Sequence, residues 1–424
     1  MQAALLIVFY FITPILINFL CYRFSLLKKV GAILIAYLLG LIVGNIGIFP
    51  EASLFLRELI ANKNIDISIP YLQELVNAGT LAESDLQYYS MYSIQDLMTT
   101  ITIAFALPLL LLSLNIRAWF KVAGKTFLSL VLGLVSVLIP ITIGFFIFRN
   151  HIDETWKVAG MMTGVYSGGT PNLASIQKAL DVDNLTYILT HTYDLIIGAF
   201  FLLFVMSIGQ RVLLRFLPKY KPFSKTSANE IQEVESSEEQ SFFYIMKKTF
   251  VLPLLAALGI AIVIIGISVG VGELIPKDFQ MMVIILTITT LSILASLIKR
   301  INRIQKTFDV GMYFILVFSL VVASMADLRS FSSSHLHIFY WVFLVYAGSL
   351  IIHVALAALF KIDADNVIIV STALTCSPPF VPVVAGALKN KEIIISGITV
   401  GIIGYAIGNY LGVFIAYLFK SLPL

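Results

Sequence analysis

Two short polar segments interrupt the apolar sequence at corresponding places in the two halves of the chain. The first covers residues 167–172, with the sequence SGGTPN, and the second covers residues 375–379, with the sequence TCSPP. Each lies between apolar arms that are too short to cross a bilayer twice as helices. Non-helical peptide at this depth must be buried in protein or line a cavity, because hydrocarbon cannot hydrogen-bond a bare backbone. Paired breaks of this kind are the best sequence indication of a transporter's binding site.

The first break has the chemistry of a backbone that turns tightly beside a ligand. Gly168 and Gly169 have no Cβ, so they permit a sharp reversal and the close approach of a bound molecule. A half-helix starting at about Thr170 would point its free N–H groups and positive dipole end at the membrane midplane, which favours an anionic group. The predicted binding residues are therefore Ser167, Gly168, Gly169, Thr170 and Asn172. The alternative is a simple kink or packing turn.

The second break has the chemistry of exposed carbonyl oxygens. Proline has no N–H, so Pro378 and Pro379 free carbonyls of the preceding turn to coordinate a cation or a ligand. We predict that Cys376, Ser377 and Pro378 belong to the binding site. Cys376 is interpreted as a small packing residue and not as a reactive thiol.

Asp194 is an ionisable residue inside an apolar segment, with His191 one turn before it. Such a residue is expensive in a membrane span and is a functional-site hypothesis by default. We predict that Asp194, with His191, couples transport to an ion. Hydroxyls, carbonyls and one carboxylate suit a hard cation, so sodium is favoured over a proton. Alternatively, Asp194 forms a salt bridge to a loop lysine or caps a helix, and His191 is a hydrogen-bonded packing residue.

The last apolar segment contributes two further candidates. Tyr405 and Asn409 are spaced i, i+4 and so share a helix face, beside glycines at 401, 404, 408 and 412. Both are predicted ligand contacts. Small residues on a membrane helix are, however, usually packing devices, and this remains the alternative.

These residues lie in a chain whose composition is that of a membrane protein. Its 424 residues are 59% hydrophobic and only 12% charged, whereas a soluble domain is about 25% charged. The net charge of +4 reflects basic loops and indicates membrane orientation, not nucleic-acid binding. Two distant cysteines, Cys21 and Cys376, imply neither a disulfide framework nor a metal cluster. The apolar N-terminal stretch is interpreted as a first span and not as a removable signal.

Twelve apolar segments and the positions of basic residues predict the topology. If all twelve crossed the membrane, the basic loops 116–122 and 210–247 would lie on opposite sides, against the positive-inside rule. The conflict disappears if segments 156–180 and 367–389 are re-entrant hairpins. The predicted fold is therefore all-α and polytopic, with ten spans, two hairpins and both termini outside. The spans are predicted at 3–22, 29–48, 93–115, 123–148, 185–208, 248–271, 279–298, 308–327, 334–360 and 392–419.

The same pattern divides the chain into two inverted repeats. The first is predicted at 1–210 with its hairpin at 156–180, and the second at 248–424 with its hairpin at 367–389. An offset of 208 residues places Gly168 and Gly169 on Cys376 and Ser377. Residues 211–247 are a cytoplasmic linker, flexible and Glu-rich at 226–240. The acidic loop 49–90 is expected outside, as short amphipathic helices.

At the breaks the chain resembles a membrane-protein family known as domain of unknown function 819. The resemblance covers most of the chain and is carried by three pieces: Leu107 to Arg117, Thr163 to Asn172, and Ser396 to Gly412 with its Gly-Tyr-Ala-Ile-Gly stretch. The family is similar to secondary carriers with two glycine-rich re-entrant loops, such as the 2-hydroxycarboxylate and glutamate:sodium carriers. The resemblance implies transport and names no substrate. This sequence departs from it at the second break, where a Gly-Gly-Pro-Ala-Thr type tip is expected.

These observations together predict an ion-coupled secondary carrier for a small polar, anionic solute in the cytoplasmic (inner) membrane. We expect elevator-like alternating access, a homodimer in the lipid bilayer, and no cofactor other than sodium as the coupling ion. The alternatives are a channel or uniporter, or a carrier for a sugar or a peptidoglycan-derived metabolite. No ATP-binding motif of the GxxxxGK[ST] type and no HExxH or GxSxG motif is present, so a primary pump and an intramembrane enzyme are disfavoured.

Overall fold

The computed structural model describes residues 2–24, 27, 32–61, 67–113, 124–220, 248–304, 306–325 and 336–422, and within these ranges it is helical without β-strands. We number the sixteen principal helices in chain order. They are α1 (Gln2–Arg23), α2 (Ala32–Asn45), α3 (Leu54–Ala61), α4 (Ile69–Asn77), α5 (Glu83–Leu112), α6 (Gly124–Phe148), α7 (Thr155–Gly168), α8 (Thr170–Ala179), α9 (Asn184–Phe204), α10 (Lys248–Gly272), α11 (Lys277–Ser296), α12 (Thr307–Ser324), α13 (Leu336–Leu359), α14 (Ala364–Thr375), α15 (Val381–Ala387) and α16 (Ile394–Lys420).

Nine helices of the described residues are long and apolar enough to cross a membrane, which confirms the prediction of a multi-pass membrane protein. They are α1, α5, α6, α9 to α13, and α16; α9 continues as helix through a π-helical turn to Leu213. The tenth predicted span, 29–48, corresponds to α2, a helix of 14 residues whose preceding residues 28–31 lie outside the described ranges.

The third span begins ten residues earlier than the predicted 93–115, and this part of the interpretation was wrong. Helix α5 begins at Glu83, with Glu83 and Asp85 in its first turn, where negative charge is favourable. The Asp85 carboxylate also accepts hydrogen bonds from the backbone N–H groups of Ser53 and Ala82. The predicted outer loop therefore ends at 82, and it contains the short helices α3 and α4, as expected. The predicted linker segment 226–240 lies outside the described residues.

The described chain forms two compact units that do not follow the predicted halves. Unit 1 contains residues 1–103 and 313–331, and unit 2 contains residues 104–312 and 332–424. In unit 1 the core contains α1, α2, the first part of α5 and most of α12. Within this core, Gln95 of α5 donates to the Tyr10 hydroxyl at 2.7 Å and to Ser324 Oγ at 3.1 Å, and all three residues are buried.

Unit 2 contains every predicted site residue. Helix α16 packs along α7, and α13 packs along α6. The pair α7 and α8 folds back on itself, so that its two ends meet. The Lys157 ammonium at its start donates to the Asp181 carbonyl just after its end, at 3.0 Å. The pair α14 and α15 does the same. The carboxylate of Asp365 at its start accepts from Asn390 Nδ2 just beyond its end, at 2.8 Å.

Candidate functional site

The first break is a reversal made by one residue, Gly169. Its φ is 85° and its ψ is −168°, a combination that is essentially restricted to glycine. The Gly169 N–H donates to the Val165 carbonyl at 2.6 Å, and the Gly169 carbonyl accepts from the Asn172 N–H at 3.0 Å. Helix α7 therefore ends and α8 begins on either side of a single residue. The start of α8 has no side-chain cap, but it also has few free N–H groups, because Pro171 has none and those of Asn172 and Leu173 donate to the Gly169 carbonyl.

The second break has the same backbone conformation, 208 residues later. Ser377 has a φ of 82° and a ψ of 155°. The Cys376 N–H donates to the Thr372 carbonyl at 2.8 Å, and the Ser377 carbonyl accepts from the Phe380 N–H at 3.2 Å. A residue other than glycine in this region costs about 1–3 kcal/mol and persists only when its surroundings hold it. The offset that relates the two breaks in sequence therefore also relates their geometry.

The two breaks touch each other inside the protein. A Cβ built on Gly169 would overlap the Ser377 side chain, so the glycine is required by contact as well as by conformation. At Gly168 an added Cβ would meet the Asn172 amide and the backbone of Gly404. The side chains of Ser167 and Ser377 are both buried. The structure thus brings together the two segments that the sequence predicted as one site.

Helix α16 forms the wall against which both breaks pack. Its glycines face them in order along the helix: Gly401 contacts the Pro378 ring, Gly404 contacts the Ser167 backbone, and Gly408 contacts the Asn172 amide and Ser167 Oγ. A side chain at any of these three positions would overlap its neighbour. The small residues are therefore packing devices, and they let three backbones converge at one place.

Asn172 is the polar side chain that is most enclosed at the first break. Its Nδ2 donates to the Gly404 carbonyl at 3.1 Å, and the residue is completely buried. Among the described residues, no donor reaches its Oδ1. An unpaired buried acceptor is costly, so this atom is available to a ligand. Ser167 Oγ instead donates within its own helix, to the Thr163 carbonyl at 2.7 Å, while Thr170 is buried at the start of α8.

Asn409 has protein partners at both ends of its amide, whereas the Tyr405 ring packs against apolar side chains and its buried hydroxyl has no hydrogen-bond partner among the described residues. Asn409 Oδ1 accepts from the Ser175 hydroxyl, and its Nδ2 donates to Thr289 Oγ1 at 3.1 Å. Tyr405 is 2% exposed and packs with Leu111 and Phe308 in one apolar cluster. These contacts give both residues a structural role that connects α16 to α8, α11 and α5. Direct contact with a solute stays a prediction.

Asp194 is buried and hydrogen-bonded to a tyrosine that the sequence did not single out. The Tyr346 hydroxyl donates to Asp194 Oδ1 at 2.9 Å and lies 3.4 Å from the Thr375 carbonyl. The Tyr166 ring stands against Tyr346, with centroids 5.1 Å apart, and its buried hydroxyl has no hydrogen-bond partner among the described residues. Among the described residues, no basic side chain pairs with Asp194. The carboxylate is therefore connected through Tyr346 to the residue that precedes Cys376.

The remaining predicted residues lie close by with different surroundings. His191 is completely buried, and its ring centroid lies 5.7 Å from that of Tyr187. Cys376 is buried beside the Thr375 hydroxyl, 3.6 Å from Sγ to Oγ1, consistent with a packing role. Sequence reasoning missed Tyr166 and Tyr346. The only signal for Tyr166 is its place directly before the break, and Tyr346 lies in a span more than 150 residues away from Asp194.

Comparisons with known proteins match this chain to a family of unknown function and to a membrane protein. Residues 75–422 match the family model described as Protein of unknown function (DUF819). The Uncharacterized membrane protein YjcL of Bacillus subtilis (strain 168) is 24% identical over 339 residues, which cover 77% of this chain and 84% of the relative. The family match includes both breaks and the helices around them.

Proposed function

We propose that this chain, which belongs to the DUF819 family, is an ion-coupled secondary carrier for a small polar, anionic solute. The carrier works in the cytoplasmic membrane as a homodimer by elevator-like alternating access. No covalent chemistry is needed. Residues of the two breaks hold the solute, a coupling ion binds beside the second break, and the broken helix pairs move with them.

The observation that carries this proposal is the contact between the two breaks. Gly169 and Ser377 share one unusual backbone conformation, lie 208 residues apart and touch each other in a buried environment. A membrane protein tolerates irregular backbone at depth only where protein or a cavity surrounds it. Broken helices in corresponding positions of two halves form the solute and ion sites of many secondary carriers.

The contacts at the open ends of the two pairs support an inverted arrangement. The second pair opens beside the end of α9, where the carboxylate of Asp365 accepts from Gln210 at 2.6 Å. The first pair opens beside the end of α16, where the rings of Trp156 and Tyr417 lie 5.7 Å apart. Helix α16 starts just after Asn390, which closes the second pair. We therefore interpret the pairs as re-entrant hairpins that enter from opposite sides, in two inverted repeats.

The predicted charge of the solute follows from the first break. The start of α8 has no side-chain cap, so its positive dipole end is available to an anion. Asn172 Oδ1 is an unpaired acceptor that can bind a solute N–H or O–H group. One negative group together with hydrogen-bond donors describes small carboxylates and amino acids. Sugar derivatives and peptidoglycan fragments remain the second candidate class.

Asp194 supports ion coupling because it is a buried carboxylate one hydrogen bond away from the second break. The Tyr346 hydroxyl gives its one hydrogen to Asp194, and its oxygen lies 3.4 Å from the Thr375 carbonyl, so the carboxylate and this carbonyl compete for the same hydrogen. A cation near the carboxylate would remove the electrostatic penalty of the buried charge.

A screen of purified protein followed by counterflow tests the proposal. A thermal-shift screen against metabolite classes, with and without sodium, identifies compounds that raise the unfolding midpoint. Proteoliposomes loaded with an identified compound should then accumulate its labelled form from outside, with saturation and with acceleration by sodium. Flux without saturation or counterflow would instead indicate a channel. A carrier whose counterflow is independent of sodium and pH would contradict ion coupling.

A further inference from the structure

A small polar cavity lies between α6, α13 and α14, apart from the contact of the two breaks. Its volume is about 10 Å³, enough for one water-sized sphere. Five of its lining side chains are polar and almost completely buried, on three different helices: Ser136, Ser349, His353, Ser371 and Thr375. Serine and threonine are common at membrane helix interfaces, but a histidine inside a bundle is rare, and here it lies with four hydroxyls around one cavity.

Three of the lining hydroxyls use their hydrogens on carbonyls of their own helices, which leaves their oxygens as acceptors. Ser136 donates to the Gly133 carbonyl at 2.7 Å, Ser349 to the Tyr346 carbonyl at 3.2 Å, and Thr375 to the Ser371 carbonyl at 2.8 Å. A hydroxyl has one hydrogen and two lone pairs. Since each hydrogen is used on the residue's own helix, the lone pairs remain for whatever occupies the cavity.

His353 fixes one side of the cavity through two serines, Ser129 and Ser371. The His353 Nε2 lies 3.1 Å from Ser129 Oγ, and its Nδ1 lies 2.9 Å from Ser371 Oγ. Both ring nitrogens are therefore held by hydroxyls, one from α6 and one from α14. Gly133 makes room for the ring, because a Cβ there would lie 3.3 Å from His353 Cε1. The imidazole thus ties α6, α13 and α14 together around the cavity.

We propose that this cavity binds a sodium ion through the hydroxyl oxygens of Ser136, Ser349 and Thr375. Hard monovalent cations prefer neutral and anionic oxygen ligands. The volume suits one small ion, and within the described part of the chain no group of three His, Cys, Asp or Glu side chains forms a transition-metal site. A site of hydroxyl oxygens therefore selects a cation such as sodium over zinc or copper.

The negative charge that balances this ion is that of Asp194. Thr375 provides a hydroxyl to the cavity, and its carbonyl lies 3.4 Å from the Tyr346 hydroxyl that donates to Asp194. The ion and the carboxylate are therefore separated by one residue of α14 and one tyrosine. Because Thr375 directly precedes Cys376 and Ser377, an ion here would hold the second break in place. The identity of this ion as the coupling ion rests on the proposed function, whereas its binding does not.

The test is sodium binding by the purified full-length protein without any solute. The unfolding midpoint is measured while NaCl replaces choline chloride at constant ionic strength, because a ligand of the native state raises it. We expect a saturable rise with sodium. In Thr375→Val and in Ser136→Ala the apparent sodium affinity should fall about tenfold or more, as is usual when a metal site loses a contributor.

Thr372→Val is the matched control. Thr372 is on the same helix, is equally buried and donates to the Ile368 carbonyl at 2.8 Å, but it does not line the cavity. This variant should keep the sodium response of the wild type. Ser136→Ala, on another helix, keeps the test decisive if Thr375→Val does not fold.

The results of this test distinguish sodium binding at the cavity from transport by the protein. Equal midpoints in sodium and choline would mean that the cavity holds only a water molecule and would overturn the proposal. An equal loss of sodium response in Thr372→Val would overturn it as well. A sodium response that depends on Ser136 and Thr375, in a protein that fails the counterflow assay, would retain the ion site and reject the carrier.

Discussion

Ser377 holds a backbone conformation that glycine adopts freely and serine does not, at a φ of 82°. We predict that Ser377→Gly raises the free energy of unfolding by about 1 kcal/mol, because it removes this strain. Ser377→Ala is the control, since it removes the hydroxyl and keeps the Cβ. Thermal or denaturant unfolding of the purified proteins measures the difference. A Ser377→Gly protein no more stable than Ser377→Ala would show that Ser377 is not strained.

Gly169 allows no side chain for two reasons, its φ of 85° and its contact with Ser377. Replacing Gly168 or Gly169 with valine should abolish transport while the protein still reaches the membrane. Gly266→Val is a matched control, because nothing lies within 4 Å of a Cβ at that position in α10. Uptake normalised to the amount of protein in the membrane is the measurement. Near-normal uptake in both break variants would exclude the first break from the site.

The prediction about ion coupling concerns the Asp194 carboxylate. Asp194→Asn keeps the shape of the side chain and should leave the fold intact, but it should abolish the sodium dependence of thermal stability and of solute binding. Tyr346→Phe is the variant to compare with Asp194→Asn. It removes the 2.9 Å hydrogen bond and keeps the charge, so sodium dependence should persist with an altered affinity. An unchanged sodium titration in Asp194→Asn would make Asp194 a structural residue.

Sequence reasoning at the residue scale identified what a residue can do but not which partner it meets. Gly169 and Ser377 were recognisable because a break in an apolar run is visible locally. Asn409 was predicted as a ligand contact, yet its amide is bonded to Ser175 and Thr289 on two other helices. Tyr346 could not be found because its contact with Asp194 depends on how α9 and α13 pack. Such contacts have no signal in spacing along one chain.

Helix α16 packs through its glycines, and this gives a prediction at the scale of the element. Gly404→Ala should destabilise the protein by about 1–3 kcal/mol, because its Cβ would overlap the Ser167 carbonyl, which belongs to rigid backbone. Gly259→Ala in α10 is the control, since a Cβ there meets nothing within 4 Å. It should be neutral or slightly stabilising because alanine favours helix. Equal stability of the two variants in unfolding measurements would contradict close packing at Gly404.

The positions of the helices were largely predictable because apolar length and flanking charge are properties of single segments. Helix α13, for example, extends over Leu336–Leu359 where 334–360 was predicted. The error at α5 has a physical cause. Its first turns carry Glu83, Asp85 and several tyrosines and are too polar for a hydropathy signal, although acidic residues are good helix starters. A prediction from hydropathy therefore places the start of such a helix too late, where its apolar part begins.

At the scale of the whole molecule, the compact units differ from the predicted halves. Unit 1 takes its residues from both halves, as does unit 2. The sequence offset describes which segments are equivalent, and compactness describes which segments pack together. These are different properties, because corresponding segments of the two predicted repeats can pack with each other. The contact between Gly169 and Ser377, one from each half, is an example within unit 2.

The predicted topology places both termini outside and the linker 226–240 inside, since only this arrangement puts all basic loops in the cytoplasm. Cysteine labelling in a variant lacking Cys21 and Cys376 tests it. Glu273→Cys, in the exposed turn between α10 and α11, should react with a membrane-impermeant maleimide added to intact cells. Glu230→Cys, in the linker, should react only after the cells are permeabilised. Labelling of position 230 in intact cells would invert the topology, and with it the side from which each broken pair enters.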